Sequence, residues 1–164
     1  MVLFDYFRAV DRDEARNIAL LPGGPLGREG TSQGVDGLAL KNMDSTVVMG
    51  KLFALVLDVE WSARLIESAY VWPTSAQPRV GDDFLEDSPW VTGPWVEDLG
   101  TVFRDSFASV DDRRLPQICE RWWPIEELSG TGDLAWAVEI AESFVALARR
   151  ARDAGQSVYC WSCL

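Results

Sequence analysis

The chain has three cysteines, and two of them, Cys160 and Cys163, form a C-x-x-C within the closing Ser157-Val158-Tyr159-Cys160-Trp161-Ser162-Cys163-Leu164. That spacing supports thiol redox chemistry when it opens a helix, where the dipole and free N–H groups stabilise a thiolate. Here it follows a helix and a turn, and its flanks read as a buried strand. Strand alternation sends Val158, Cys160 and Ser162 to one face and Tyr159, Trp161 and Cys163 to the other. Thiols divided in this way neither bridge nor share a metal unless the strand ends between them. The simpler reading is packing, because cysteine is among the most readily buried residues. A zinc site could recruit Cys119 as a third thiolate, but structural zinc sites show two ligand couples and this chain offers one.

Histidine is absent. Ser-His-Asp and Cys-His arrangements, histidine metal sites and the usual general base are therefore excluded. Any catalysis would rest on carboxylates, cysteines, tyrosines or arginines, which leans the reading away from an enzyme without settling it. Carboxylate pairs occur at Asp58 and Glu60, Asp82 and Asp83, Asp111 and Asp112, and Glu126 and Glu127. Acid–base work needs two carboxyls in different environments facing a cleft, whereas acids in hydrophilic turns are usually solvated. Glu126 and Glu127, beside Trp122-Trp123-Pro124, are the pair of most interest. The glycine-rich stretch over 23–37 lacks the P-loop lysine, since Gly27-Arg28-Glu29-Gly30-Thr31-Ser32 follows a helix rather than a strand. A small-molecule site beneath that loop, touched by Arg28, is a further alternative.

Eight tryptophans are more than a core of this size requires. Trp72, Trp90, Trp95, Trp122 and Trp123 lie beside prolines or in irregular stretches rather than on apolar stripes. They could line a groove for a peptide, a sugar or a protein, since indoles are common interface anchors. The competing reading is that they close irregular segments over the core.

The chain's 164 residues suit one domain with a substantial core. Its 26 acidic against 15 basic residues, a net charge of -11, argue against nucleic acid and anionic membrane surfaces as partners. Charged residues interrupt the N-terminal stretch before it could serve as an export signal, and no apolar run is long enough to span a bilayer. Three cysteines without such a signal suit reduced thiols in the cytoplasm.

These groups must be positioned by recognisable elements. Residues 2–10 read as a strand, and Asp11 with Glu14 has capping-box spacing for a first helix that stops at Pro22. Residues 46–57, capped by Asp44 or Ser45, carry one charge and read as a buried helix, with a hairpin at Gly50-Lys51 as the alternative. A short amphipathic helix is expected over 61–68 and an exposed loop over 73–88. Pro94 reads as the first residue of a helix to about 109, and a further helix is expected over 112–122, with Pro116 in its first turns. The last helix, over 133–153, has Asp133 as N-cap and Arg149, Arg150 and Arg152 near its negative end. Apolar residues on two sides of it place it at the centre of the fold.

The two ends together resemble the YfbM-like family of uncharacterised bacterial proteins. The residues that carry the resemblance are Asp5-Tyr6-Phe7-Arg8-Ala9-Val10-Asp11 running into a helix, and the closing segment over 146–160, with 95–115 resembling the family's middle. The resemblance implies an α+β fold with adjacent terminal strands, and it implies no activity and no catalytic residues. The glycine-rich loop, the segment 46–88 and the terminal C-x-x-C depart from the family's pattern.

The expectation is thus one α+β domain, a small sheet containing both terminal strands packed by about five helices. The function expected is a cytosolic, non-catalytic protein that needs no cofactor. An acidic, tryptophan-bearing surface would bind a protein or peptide, in an immunity or regulatory role. Candidate partner-binding residues are Trp72, Trp90, Trp95, Trp122, Trp123, Glu126 and Glu127. The thiol-redox or metal-binding alternative rests on Cys119, Cys160 and Cys163.

Overall fold

In the computed structural model, β1 (Leu3–Ala9) and β5 (Ser157–Cys163) pair antiparallel along their full length, with Leu3 opposite Cys163 and Ala9 opposite Ser157. The structure describes residues 2–27, 34–79, 81 and 86–164. Arg28 to Ser32, with the phosphate-loop question they raise, lie outside the described residues, and so do Asp82 and Asp83. β2 (Gly37–Lys41) adds to the outer side of β1. β4 (Trp95–Asp98) and β3 (Ala69–Trp72) continue from β5, giving a five-stranded antiparallel sheet in the order β2-β1-β5-β4-β3. The fold is α+β with both terminal strands in the sheet, as the sequence implied.

Helices cover the two faces unequally. α1 (Arg12–Ala19) packs on one face, while α2 (Val48–Leu57), α4 (Gly100–Ala108), α5 (Leu115–Trp122) and α6 (Leu134–Asp153) form the main layer on the other. A single turn of helix, α3 (Pro89–Thr92), precedes β4. Asp11 accepts the Glu14 N–H at 2.9 Å, and the Glu14 carboxylate accepts the Val10 N–H at 2.5 Å, so the start of α1 is satisfied from both sides. α2 begins later than either Asp44 or Ser45 would cap: its N-cap is Val47, which has no side-chain cap bond, while Asp44 accepts the Val47 N–H at 2.5 Å and the Val48 N–H at 3.4 Å from the preceding turn.

α6 is the central element. Asp133 accepts the Trp136 N–H at 2.9 Å, and Ala137, Ala141, Phe144, Val145, Leu147, Ala148 and Ala151 are all buried. The Phe144 ring meets Tyr6 at 5.2 Å, Phe107 at 4.8 Å and Phe103 at 5.7 Å between centroids, tying the sheet to α4. Removing a side chain with that many aromatic neighbours costs about 3–5 kcal/mol, from lost transfer energy plus the cavity left behind. The helix ends where Gly155 takes φ +65° and Gln156 N–H returns to Ala151 O at 2.8 Å, and the chain turns straight into β5. Asp36 braces this corner. It accepts Arg8 Nε at 2.6 Å and two Arg150 N–H groups at 2.8 Å each, and these arginines pull its carboxyl down to about 2.

Three local expectations are corrected. Residues 94–109 do not form one helix: Trp95–Asp98 is the strand β4, and α4 starts only at Gly100, whose N–H donates to the Asp98 carboxylate at 3.0 Å. The helical spacing of Val96, Leu99 and Phe103 misled because all three are buried, Val96 on the sheet face opposite the helices that bury the other two. Val102, expected on the apolar side, is 70% exposed. Residues 61–68 form no helix but a short turn over 63–66, with Trp61 Nε1 donating to Thr46 O at 3.0 Å while Leu65 and Ile66 pack on the core. The third correction is β2 itself, a strand not foreseen in the glycine-rich stretch. At Gly37 a Cβ would lie 2.4 Å from the Tyr6 carbonyl oxygen, so the glycine is what lets β2 approach β1.

Candidate functional site

Register determines which residues meet. On the face under α6, one row across the sheet reads Leu38, Tyr6, Cys160, Glu97 and Tyr70, and the next reads Leu40, Phe4, Ser162 and Trp95. The helices bury the β1 end of these rows. Toward β3 and β4 they do not, and a cleft of about 410 Å³ opens there. Its floor is Cys160, Ser162 and Glu97, and its walls are Phe4, Tyr70, Trp90 and Trp95. Ser45 and Thr46, just before α2, close one side, and Gln77 and Pro78 close another.

Each wall is held in place. Trp90 rides on α3, where its Nε1 donates to Ser75 Oγ at 2.9 Å and its ring stands edge-on to Tyr70 at 5.1 Å. Ser88 caps that turn by accepting the Trp90 N–H. Trp95 opens β4 two residues after Gly93, where a Cβ would lie 3.2 Å from its ring and φ is +72°, so a side chain there would disturb the indole.

The cleft is electronegative. Glu97 accepts the Ser45 hydroxyl at 2.6 Å, and among the described residues no lysine or arginine pairs with it. Tyr70 is raised above its ordinary pKa of 10, first by burial and then by the Glu97 charge. Tyr6 is raised well above that value by burial, with Cys160, Asp44 and Glu97 adding to it, and its hydroxyl donates to Met43 O at 2.7 Å. Burial, reinforced by Glu97, likewise pushes the Cys160 thiol well above its ordinary range. A thiol held neutral is a poor nucleophile and a poor metal ligand. What the arrangement can do is hold a cation, since a carboxylate and the electron-rich faces of indole and phenol rings all attract positive charge.

The sequence candidates fall in separate places. Trp90 and Trp95 share the cleft. Trp72, displaced by a register shift in β3, packs on the opposite face beside Val71 and Val96. Trp122 is fully buried, with Nε1 donating to Val48 O at 2.9 Å, so it presents nothing to a partner, while Trp123 is exposed beside it. Glu127 pairs with Lys51 Nζ at 2.6 Å, which lowers its pKa, and Glu126 is exposed. Lys51 also lies 5.5 Å from the Trp61 ring centroid. Of the other acidic pairs, Asp111 bonds Arg113 and Asp112 bonds Arg149, while Asp58 lies 4.0 Å from Arg121.

The three thiols are free and apart. Cys160 belongs to the helix-covered core and Cys163 packs against the cluster on the other face, on opposite sides of β5. Cys119 is buried in α5 and raised to about 11 by burial, and no group of three or more Cys, Asp or Glu that could hold a metal occurs among the described residues.

Sequence reasoning missed Glu97, Tyr70, Ser45 and Phe4. Once Trp95-Val96-Glu97-Asp98 is read as a strand, period two puts Glu97 beside Trp95 on one face, which is the available signal. Comparison with protein-family models, curated proteins and solved structures finds no match to this chain.

Proposed function

We propose that the protein is a non-catalytic binding module whose cleft receives a basic side chain, arginine above all, from a peptide or protein partner. The observation that carries this reading is Glu97. It is a carboxylate on the floor of a cleft walled by Trp90, Trp95 and Tyr70, with the Ser45 hydroxyl as its neutral hydrogen-bond partner. A guanidinium is planar and weakly hydrated, so it stacks on indole while its fork meets a carboxylate. The volume of about 410 Å³ suits a side chain rather than a folded surface. The net charge of -11 favours approach of a basic segment and disfavours nucleic acid.

A cytoplasmic setting suits the free thiols, and among the described residues no helix is long and apolar enough to cross a membrane. The YfbM-like resemblance stays part of the proposal. The pairing of β1 with β5 is the arrangement it implies, and it brings no activity of its own.

The test is calorimetric titration with an arginine-rich hexapeptide and its citrulline counterpart, which keeps the shape and loses the charge. The arginine peptide should bind at least about tenfold tighter, and Glu97→Gln should abolish that preference. Binding should also weaken with added salt. Equal binding of the two peptides, or a preference that survives Glu97→Gln and Trp90→Ala, would overturn the reading.

A further inference from the structure

The cleft that receives the basic side chain has four aromatic walls and one charge. Phe4, Tyr70, Trp90 and Trp95 line it together with Glu97, and among the described residues no other ionised side chain does. A ligand can reach all five, since Tyr70 is 42% exposed and Phe4, Trp90, Trp95 and Glu97 are half-buried. The Trp90 and Tyr70 ring planes stand at 85°, so these two walls make a corner rather than a stack. The Trp90 Nε1–H is taken by Ser75 Oγ, so this indole offers the cleft its ring and no hydrogen bond.

A guanidinium carries five N–H donors, and each one taken out of water needs an acceptor. Glu97 has two carboxylate oxygens, and one of them, Oε2, already holds the Ser45 hydroxyl at 2.6 Å. Arginine can aim one edge, Nε–H and the nearer terminal N–H, at that carboxylate. Its far amino group then leaves water for aromatic rings, which accept hydrogen bonds only weakly. Two methyl groups on the far nitrogen remove both of its donors and keep the positive charge. The methyls carry part of that charge to the ring faces, as in aromatic cages for methylated cations. Such an arginine is polar along one edge and apolar along the other, the same division the cleft makes between floor and walls.

We propose that the cleft selects dimethylated arginine, with both methyls on one terminal nitrogen, over arginine itself. This rests on the reading of the cleft as an arginine site and adds the modification state that the site prefers. The unmethylated edge donates to Glu97. The dimethylamino end fills the corner between Trp90 and Tyr70, with Trp95 and Phe4 completing the enclosure. The symmetric isomer, with one methyl on each terminal nitrogen, leaves a donor on the far nitrogen and gains less.

The test is calorimetric titration with one hexapeptide, a single arginine among glycine and serine residues, in four forms: unmodified, asymmetrically dimethylated, symmetrically dimethylated, and with citrulline in its place. The asymmetric form should bind about fivefold tighter than the unmodified one, with the symmetric form between them. Tyr70→Leu keeps an apolar wall and removes the ring, so that ratio should fall to about one while arginine stays preferred over citrulline. Equal or weaker binding of the asymmetric form in the unaltered protein, tighter binding of the symmetric form, or a ratio unchanged by Tyr70→Leu would each overturn the proposal. If arginine is still preferred over citrulline, those results leave the arginine site itself standing. No binding of any of the four peptides would overturn both.

Discussion

Replacing Asp5 with asparagine should make the protein more stable at neutral pH, and the gain should vanish in acid. Asp5 lies in β1 with its side chain 7% exposed, and burial raises its pKa from 3.8 to about 6 against a smaller opposing effect from the Leu26 N–H. The sign follows from which state holds the proton. Between those two values the unfolded chain has lost its proton while the folded chain keeps it. Stability is therefore complete below about pH 4 and falls as pH rises through about 6. A shift of about two units at about 1.4 kcal/mol each gives a cost near 3 kcal/mol above pH 7. Asparagine keeps an oxygen for the Leu26 N–H and never ionises. The assay is urea unfolding of both proteins at intervals from pH 4 to pH 8, because titrations common to the two cancel in the difference. The Asp5→Asn advantage should grow by about 2–3 kcal/mol across that window. A difference that stays constant within about 0.5 kcal/mol would show that water in the cavity beside Asp5 solvates the carboxylate, and would refute the burial argument.

Three further outcomes follow from the packing. Asp36→Asn severs the bridges to Arg8 and Arg150; because Asp36 is held near 2, its contribution should persist above pH 4 and disappear as pH falls toward 2, with a salt-sensitive loss of about 1 kcal/mol at pH 7 after allowing for solvent screening. Gly37→Ala sets a methyl 2.4 Å from the rigid Tyr6 carbonyl, so it should cost at least about 2 kcal/mol in urea unfolding and raise hydrogen exchange in β2. Thiol titration with an aromatic disulfide should modify half-buried Cys163 first, and buried Cys119 and Cys160 only once denaturant is added; three equally fast thiols would contradict the packing of α5 and β5.

The parts of the fold legible in the sequence are those where local chemistry and burial agree. Asp11 and Glu14 announce α1, Asp133 and Gly155 delimit α6, and period two in β5 already separates Cys160 from Cys163. Where burial comes from two directions the reading fails. Val96 and Leu99 are three apart and both buried, so they imitate a helical stripe, yet Val96 belongs to β4 on one face and Leu99 packs with the helices on the other. β2 is hidden for a different reason. It is a five-residue edge strand opened by glycine, and its register depends on β1 rather than on its own pattern.

The same failure concealed the cleft. A helix begun at Pro94 would have scattered Trp95 and Glu97 around its circumference, whereas a strand aligns them two residues apart on the face that the helix layer leaves partly open. Tryptophan count alone could not sort the candidates, because Trp122 and Trp90 differ in burial, not in type or in proximity to proline. What separates them is the partner of each indole N–H: Val48 O inside the core for Trp122, and Ser75 Oγ at the surface for Trp90. Carboxylates on strands are a better guide: Asp5 on β1 and Glu97 on β4 each line a cavity. Placing a carboxylate in a sheet is costly unless something offsets it. For Glu97 the Ser45 hydroxyl supplies that offset; for Asp5 it is a single amide, the Leu26 N–H, and burial leaves its carboxyl raised to about 6.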